Sequence, residues 1–357
     1  MRDSLVIGVD AGATTTRCVL SDLDGNILAR GSAGGANQNS SGAPPGVALA
    51  SALREAIAAT DPARVALGVI GAAGAGTGGR EAARAAALEA WRTAGLSGRL
   101  LAVTDLEVGF AAGTPAPDGL LLLAGTGAVA AAFAGGVLTH RCDGYGWLLG
   151  DEGSAVWLGR KGLRAVMRAL DGRGPRTDLA EPLSTALGVP AGPGLAADPE
   201  GHAQRLLRAA FDRPPAALGA LAPVVSDLAA AGDPVARGLA AEAAGHLLHA
   251  LATVARRAGP DEIGVEPAGP EIRVEPAGPG EIGVEPAVVL AGSVLLSSGP
   301  VAERVRAGVR ERFGREPVEA RDGAAGAAWL AISQVGGAPG DAATHARLTR
   351  AGLRGTP

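Results

Sequence analysis

The sequence has few cysteines, no excess of positive charge and no long apolar run. Cys18 and Cys142 are its only cysteines in 357 residues, too few for a disulfide framework, a zinc cluster or a four-cysteine iron–sulfur site. A net charge of −4 lacks the basic field that nucleic-acid binding requires. No apolar run reaches the ~20 residues that cross a bilayer, and the N-terminus has no secretory signal pattern. We therefore expect a cytoplasmic protein that binds neither nucleic acid nor membrane.

Aromatic residues are also scarce. There are four Trp, four Phe and one Tyr, so Leu, Val and Ala must supply most of the core volume. The length of the chain favours two domains, and two domains invite a cleft between them.

The segment 5–20 has the pattern of a strand, a tight turn and a second strand. Gly12 would let backbone N–H groups approach an anion, and Thr14 would add a hydroxyl donor. Asp10 could hold a hydrated magnesium ion beside phosphates. Alone, this segment is equally well explained as an ordinary edge hairpin.

The same pattern recurs at 120–133. An apolar run ends at Ala124, Gly125-Thr126-Gly127 forms a tight turn, and a second apolar run follows. Two hairpins of this kind in successive α/β units indicate an internal duplication facing a cleft. The repetition favours phosphate binding for both.

Asp105 follows the apolar segment 100–103 and precedes a helical pattern at 106–112. Catalytic groups of open α/β sheets lie at the carboxyl ends of strands. A simple helix cap is the alternative interpretation, and one residue can serve both purposes.

Two segments rich in glycine and polar residues are candidate binding loops. The first, 34–42, contains Asn37, and a plain connection is its alternative interpretation. The second, 144–154, contains Gly144, Tyr145 and Asp151 and leads into a predicted helix at 155–170, whose first N–H groups are free to bind an oxygen ligand. Asp151 could instead be a first-turn acid favoured by the helix dipole.

The remaining pattern continues an α/β layer arrangement. We predict further helices at 47–60, 81–94, 234–257, 301–313 and 323–335, and further strands at 65–70, 288–291 and 317–320. Three copies of a Glu- and Pro-rich motif between 262 and 287 predict an exposed insertion that activity does not need. Small residues at 323–326 would allow close approach of a flat ring or of another backbone.

Together these segments resemble the N-acetylglucosamine kinases of the BadF/BadG/BcrA/BcrD-type ATPase family, within the sugar kinase, Hsp70 and actin superfamily. The resemblance covers roughly residues 5–335. The first hairpin is similar to the first phosphate motif of the family and 123–127 to the second. Ala291-Gly292-Ser293 resembles its adenosine motif, and the segment 144–154 is the most diagnostic part.

The resemblance implies an α/β fold with two ribonuclease H-like (actin-like ATPase) domains and an interdomain cleft. The expected domains are 1–115 and 116–335, with a low-complexity insertion at 259–287 and a tail, 336–357, that is a candidate to pack back on the first domain. The implied residues are Asp105 as catalytic base; Gly12, Thr14, Gly125, Thr126, Gly127, Gly292 and Ser293 for ATP; Asp10 for Mg²⁺; and Asn37, Asp105, Gly144, Tyr145 and Asp151 for the sugar.

The implied activity is transfer of phosphate from ATP to the 6-hydroxyl of N-acetylglucosamine or a related amino sugar, by a homodimer. Two departures leave the sugar open. Gln38-Asn39 stands where the family often has an aromatic residue, and Tyr145 stands where it often has Trp. Several alternatives therefore stay open: a kinase that acts on glucosamine, N-acetylmuramate or glucose, a BadF-type ATPase, and a non-catalytic sugar sensor.

Overall fold

The computed structural model describes residues 4–12, 14–36, 45–72, 79–190, 197–258, 286–336 and 341–351. Asn37 and the repeats between 262 and 285 lie outside these ranges. The described strands are β1 (Leu5–Ala11), β2 (Thr15–Asp22), β3 (Ile27–Gly34), β4 (Val65–Ala72), β5 (Arg99–Thr104), β6 (Gly119–Ala124), β7 (Ala128–Ala134), β8 (Val137–Asp143), β9 (Ala287–Ala291) and β10 (Val318–Ala320).

The described helices, apart from short 3₁₀ turns at Pro62–Arg64 and Pro215–Leu221, follow the predicted order with additions. They are α1 (Pro45–Ile57), α2 (Arg80–Thr93), α3 (Asp105–Gly113), α4 (Ala155–Leu170), α5 (Ala180–Ala186), α6 (Pro199–Phe211), α7 (Ala222–Ala231), α8 (Pro234–Arg257), α9 (Ser293–Leu296), α10 (Pro300–Phe313), α11 (Gly323–Gly336) and α12 (Ala342–Ala351).

The strands form two five-stranded sheets of the same topology. Their orders are β3-β2-β1-β4-β5 and β10-β9-β6-β7-β8. In each sheet three antiparallel strands come first and two parallel strands follow through helical connections. The internal duplication predicted from the two hairpins is thus present in the topology. The sequence did not predict β8, because its half-exposed residues form no apolar run.

The central strand of the first sheet is buried on both faces. Ile7 packs in a core with Leu53 of α1 and Trp91 of α2. Its neighbour Val6 points to the opposite face and joins a core that contains Ala328 of α11. A strand covered on both faces reads as a continuous apolar run, as Leu5–Val9 does.

The second sheet is covered in the same way. Leu120 and Leu122 pack with Leu251 of the long helix α8. On the other face, Leu121 and Phe133 pack with Phe110 of α3, and the Phe110 and Phe133 rings stack with centroids 4.3 Å apart. Helix α3 therefore links the first sheet, which it follows in the chain, to the inner face of the second.

Helices α3 and α11 lie together between the two sheets. A β-carbon placed on Gly326 would lie 2.2 Å from the carbonyl oxygen of Val108, so the small residues predicted at 323–326 admit another backbone. The buried alanines of α11 pack against the first sheet. The expected second domain includes residues 323–335. In the structure, however, α11 packs against β1 of the first sheet, because its small side chains allow the two backbones to approach closely.

The last described helix, α12, also packs on the first half. His345 Nε2 lies 2.8 Å from the carbonyl oxygen of Ala111 in α3, and Arg347 Nε donates to the carbonyl oxygen of Asp24 at 2.8 Å. Among the described helices, no single one has the length and apolar character to cross a membrane. The segments Pro215–Ala231 and Pro234–Arg257 pass that test only as a pair, and they are bent by 114°.

Candidate active site

Asp105 is the first residue of α3, directly after the last strand of the first sheet. The cap of this helix is supplied by its neighbours. Thr104 Oγ1 accepts the Glu107 N–H at 3.3 Å, and Glu107 Oε2 accepts the Thr104 N–H at 2.7 Å. This capping box makes Thr104 the N-cap. Asp105 is therefore not the N-cap of α3, and its carboxylate accepts hydrogen bonds from the backbone of Asp105 and Leu106.

The carboxyl group of Asp105 sits in an electrostatically unfavourable position. Burial, followed by the negative charge of Asp10, raises its pKa to about 7. Hydrogen bonds from the backbone of Asp105 and Leu106, and then the charge of Arg141 in the second sheet, oppose the rise. Among the described residues no ion pair involves Asp105. A carboxyl group that titrates near neutral pH at the carboxyl end of a strand is suited to exchange a proton.

Asp10 lies at the equivalent end of β1. Burial raises its pKa to about 6, the charge of Arg17 opposes the rise and that of Asp322 adds to it. A β-carbon placed on Gly323 would lie 2.4 Å from Asp10 Oδ2. The start of α11 therefore packs directly on the Asp10 carboxylate.

Asp322 completes this acidic edge and was not predicted as a site residue. Its Oδ1 accepts the Ala325 N–H at 3.1 Å as the cap of α11. Its Oδ2 accepts a hydrogen bond from Arg30 Nη1 at 2.8 Å. An acid preceding a predicted helix was a usable signal for the cap, whereas Arg30 is 292 positions away in sequence.

The turn of the first hairpin is held by backbone hydrogen bonds. Gly12 donates to the carbonyl oxygen of Thr15 at 3.0 Å and accepts from the Ala36 N–H at 3.1 Å. Thr16 Oγ1 donates to the carbonyl oxygen of Gly34 at 2.8 Å. Thr14 is exposed beside this turn, where its hydroxyl can reach a ligand.

The turn of the second hairpin meets the predicted adenosine motif. Gly125 donates to the carbonyl oxygen of Gly127 at 2.9 Å, and its own carbonyl oxygen accepts the Ala155 N–H of α4 at 2.8 Å. A β-carbon on Gly125 would lie 3.8 Å from the Ser293 nitrogen. Gly292 has φ +88°, and a β-carbon there would lie 2.4 Å from the carbonyl oxygen of Ala124. The structure therefore brings Gly125–Gly127 and Gly292–Ser293 together, with half-buried Thr126 at the turn.

The predicted sugar residues lie on the loop between β8 and α4. Arg141 Nη2 donates to the carbonyl oxygen of Gly144 at 3.2 Å, and its guanidinium carbon lies 5.5 Å from the Tyr145 ring centroid. Tyr145 is 65% exposed. The charge of Arg141 also acts on Asp105, so Arg141 interacts both with this loop and with Asp105. Asp151 Oδ1 accepts the Ala128 N–H at 3.3 Å.

The site fits a nucleotide with a magnesium ion. The crowded position at Gly292 brings its backbone against Ala124 and Gly125 at the turn, and such close backbone approach is what phosphate binding requires. Among the residues described, no three His, Cys, Asp or Glu side chains form a preformed metal cluster. Mg²⁺ in phosphoryl-transfer enzymes is held by one or two carboxylates together with substrate phosphates, and Asp10, whose charge is poorly compensated, meets this requirement.

Comparison with known proteins agrees with this geometry. The fold is similar to that of the ROK family glucokinase of Streptomyces griseus, solved with glucose and AMPPNP, which aligns with a TM-score of 0.52 at 17% identity over 92% of this chain and 99% of that one. A candidate N-acetylglucosamine kinase of Chromobacterium violaceum aligns with a TM-score of 0.64 at 23% identity over 92% and 98%. These likenesses confirm the predicted fold.

The family follows from the sequence match. Residues 7–331 match the BadF/BadG/BcrA/BcrD ATPase family, and the chain belongs to it, as predicted. It is 29% identical over 183 residues to the N-acetylmuramic acid/N-acetylglucosamine kinase of Clostridium acetobutylicum, covering 49% of this chain and 57% of that protein. It is 30% identical over 194 residues to the N-acetyl-D-glucosamine kinase of Dictyostelium discoideum, covering 51% and 60%. Both matches span about half of this chain and under two thirds of the relative.

Proposed function

We propose that the protein is an ATP-dependent kinase that phosphorylates the 6-hydroxyl of N-acetylglucosamine or a related amino sugar. The observation that supports this most is Asp105, a carboxyl group freed from capping and poised near neutral pH beside Asp10. The family membership supports ATP as the phosphate donor. The names of the two relatives support an amino sugar as the acceptor.

In the proposed reaction Asp105 accepts the proton of the sugar 6-hydroxyl while that oxygen attacks the γ-phosphorus of ATP. The bond between the γ-phosphorus and the bridging oxygen breaks, and ADP leaves. A base of this kind contributes roughly 10²–10⁴-fold, because phosphoryl transfer depends mostly on positioning and charge neutralisation.

The two hairpin turns would hold the phosphates. Gly12 and Thr14 would approach from the first half, and Gly125, Thr126 and Gly127 from the second, with Gly292 and Ser293 toward the adenosine. Asp10 would hold Mg²⁺ through water, and the ion when bound would neutralise charge on the phosphates. Helix α11 packs on the Asp10 carboxylate at Gly323 and so limits where it can move.

The loop 144–151 would bind the sugar. Asp151 would accept hydrogen bonds from sugar hydroxyls, Tyr145 would stack on a face of the ring, and Gly144 would bring backbone close. The exposed Tyr145 ring, held against Arg141, is available for this contact. The role of Asn37, a homodimer and a cytoplasmic location are proposed from the resemblance alone. Light scattering on the purified protein would test whether it is a dimer.

ADP release over a panel of sugars tests the proposal. The panel comprises N-acetylglucosamine, glucosamine, N-acetylmuramate and glucose, with a control lacking sugar. We expect N-acetylglucosamine or one of its close relatives to stimulate ADP release at least tenfold above the control. Equal rates with and without sugar would indicate a BadF-type ATPase, and sugar binding without ADP release would indicate a sensor.

A further inference from the structure

The loop that carries Tyr145 is closed at its base by Asp143. Asp143 Oδ1 accepts the Asp151 N–H and its Oδ2 accepts the Glu152 N–H, both at 2.8 Å. One carboxylate thus joins the end of β8 to the residues that begin the turn into α4. We call this pair of hydrogen bonds the Asp143 clamp.

The two aspartates joined by the clamp share an uncommon backbone conformation. Asp143 has φ +67° and Asp151 has φ +55°, and in the part of the chain that the structure describes no other non-glycine residue has a positive φ. Aspartate tolerates this region better than most residues, yet it remains unfavourable and persists only where surrounding contacts enforce it. The clamp is such a contact, because it fixes the Asp151 amide directly.

The side chain of Asp151 extends from this fixed backbone to the nucleotide turn. Its Oδ1 accepts the Ala128 N–H at 3.3 Å, and a β-carbon placed on Gly127 would lie 2.9 Å from its Oδ2. Asp151 therefore belongs to the sugar loop through its backbone and touches the second phosphate turn through its carboxylate.

We propose that Asp143 is a positioning residue that couples the sugar site to the nucleotide site through Asp151. The inference rests on the proposed function, in which Asp151 binds the sugar and Gly125–Gly127 bind phosphate. A sugar that orders the Asp151 carboxylate also orders the turn it contacts, so each ligand binds more tightly when the other is present. Such coupling is reciprocal by thermodynamic necessity.

Calorimetric titration of N-acetylglucosamine, with and without a saturating non-hydrolysable ATP analogue, tests this coupling. In the wild-type protein we expect the analogue to raise sugar affinity about fivefold or more. In Asp143→Ala we expect that factor to fall to between one and two, with sugar affinity itself reduced about tenfold and affinity for the analogue alone changed less than threefold. An undiminished factor in Asp143→Ala would overturn the role of Asp143.

Two further substitutions separate the carboxylate from the backbone conformation. In Asp143→Asn the side chain still tolerates the positive φ and keeps one oxygen as a hydrogen-bond acceptor. We therefore expect the logarithm of its coupling factor to be at least half of the wild-type value. Asp143→Gly accepts the positive φ freely but has no acceptor, so it should behave as Asp143→Ala does. Wild-type coupling in Asp143→Gly would show that conformation alone matters and would overturn the clamp.

A matched control lies at the far end of the first hairpin. Asp22 Oδ1 accepts the N–H groups of Asp24 and Asn26 at 3.0 and 2.8 Å, which is the same kind of clamp in a turn away from both sites. We expect Asp22→Ala to lower stability without changing the coupling factor. Equal loss of coupling in Asp22→Ala and Asp143→Ala would reduce the effect to general destabilisation.

Amide hydrogen exchange provides a readout that needs no substrate. In Asp143→Ala the amides of Asp151 and Glu152 should exchange at least tenfold faster than in the wild type, and in Asp22→Ala they should not. Unchanged exchange would overturn the clamp. Wild-type protein that binds no sugar on the panel would overturn the proposed function together with the coupling, whereas coupling that survives Asp143→Ala overturns only the role of Asp143.

Discussion

The two halves of the molecule share a topology and differ in how an aspartate near the start of a helix is used. In both, a hairpin precedes two parallel strands, and an aspartate follows the last strand where a helix begins. In the first half that residue is Asp105, which has no ion pair among the described residues. In the second half it is Asp322, whose carboxylate is fully engaged by Arg30 and by the cap of α11.

The two aspartates stand one place apart relative to their helices, since Asp105 is the first residue of α3 and Asp322 precedes the first residue of α11. In the proposed function the first serves catalysis, whereas the second serves the structure. At Asp105 a neighbouring Thr and Glu supply the cap, which leaves the carboxylate available. At Asp322 the carboxylate is itself the cap. The glycines at the two hairpin turns also differ. Gly12 in the first turn does not have a positive φ, whereas Gly292, which lies beside the second turn, has φ +88°.

The largest expected effect separates the two aspartates in turnover. We expect Asp105→Asn to lower kcat by about 10²–10⁴-fold with sugar affinity changed less than threefold, because the base is lost and the site's shape is kept. Steady-state kinetics with calorimetry measures both quantities. Asp322→Asn is the matched variant and should keep kcat within tenfold of the wild type. A similar loss of kcat in Asp105→Asn and Asp322→Asn would contradict the different roles given to the two aspartates.

The next effect concerns the glycines. Gly292→Ala should raise the KM for ATP about tenfold and destabilise the fold by about 1–3 kcal/mol, because the left-handed backbone and the Ala124 carbonyl oxygen both exclude a β-carbon. Gly12→Ala should cost less than about 1 kcal/mol of stability, since its nearest neighbour would be the Thr15 carbonyl oxygen at 3.1 Å.

Gly238→Ala is the control for these two, because nothing lies within 4 Å of a β-carbon there and alanine favours the helix that contains it. Denaturant unfolding measures the three free energies. A Gly292→Ala protein as stable as Gly238→Ala would contradict the close packing of the second turn.

A smaller effect tests Asp322 as a structural residue. Asp322→Ala should lower the free energy of unfolding by about 1–3 kcal/mol, through the lost cap and the unpaired Arg30. Asp322→Asn should lose less because asparagine also caps helices. Urea unfolding of both variants gives the values. Equal losses in the two variants would indicate that the ion pair, not the cap, carries the stabilisation.

The smallest effect concerns the ligand-free protein and pH. Because the folded pKa of Asp105 is raised to about 7, folding loses stability as pH rises from about 4, where the unfolded carboxyl ionises, to about 7, above which the loss is constant. Asp105→Asn should therefore be more stable than the wild type by roughly 1–2 kcal/mol at pH 8 and equal to it at pH 4. Thermal unfolding at both pH values checks this. A variant less stable at pH 8 would contradict the uncompensated charge.

The sequence predicted the elements that depend on local pattern. Apolar runs bounded by glycine turns identify both hairpins, and Asp233 and Pro234 mark the start of α8. The position of Asp105 at a strand end also follows from the chain order. These features require only neighbouring residues, which is why most strands, most helices and the repeated hairpin were predictable, whereas half-exposed β8 was not.

Features that depend on contacts between distant residues were not predictable. The pair Arg30–Asp322 joins residues 292 positions apart, and the small residues of α11 do not say which sheet they pack against. Asp143 gave no signal either, since a lone acid before a glycine has no distinctive pattern. Its role depends on a positive φ and on two amides eight and nine positions later.

The most direct test of the account is the identity of the phosphorylated product. Purified wild-type protein, ATP, Mg²⁺ and N-acetylglucosamine should yield a sugar phosphate whose phosphorus correlates with the two protons on carbon 6 in a ¹H–³¹P spectrum, in amounts equal to the ADP formed. Phosphorus found on the anomeric oxygen, or only as inorganic phosphate, would contradict the assignment of Asp105 as the base for the 6-hydroxyl.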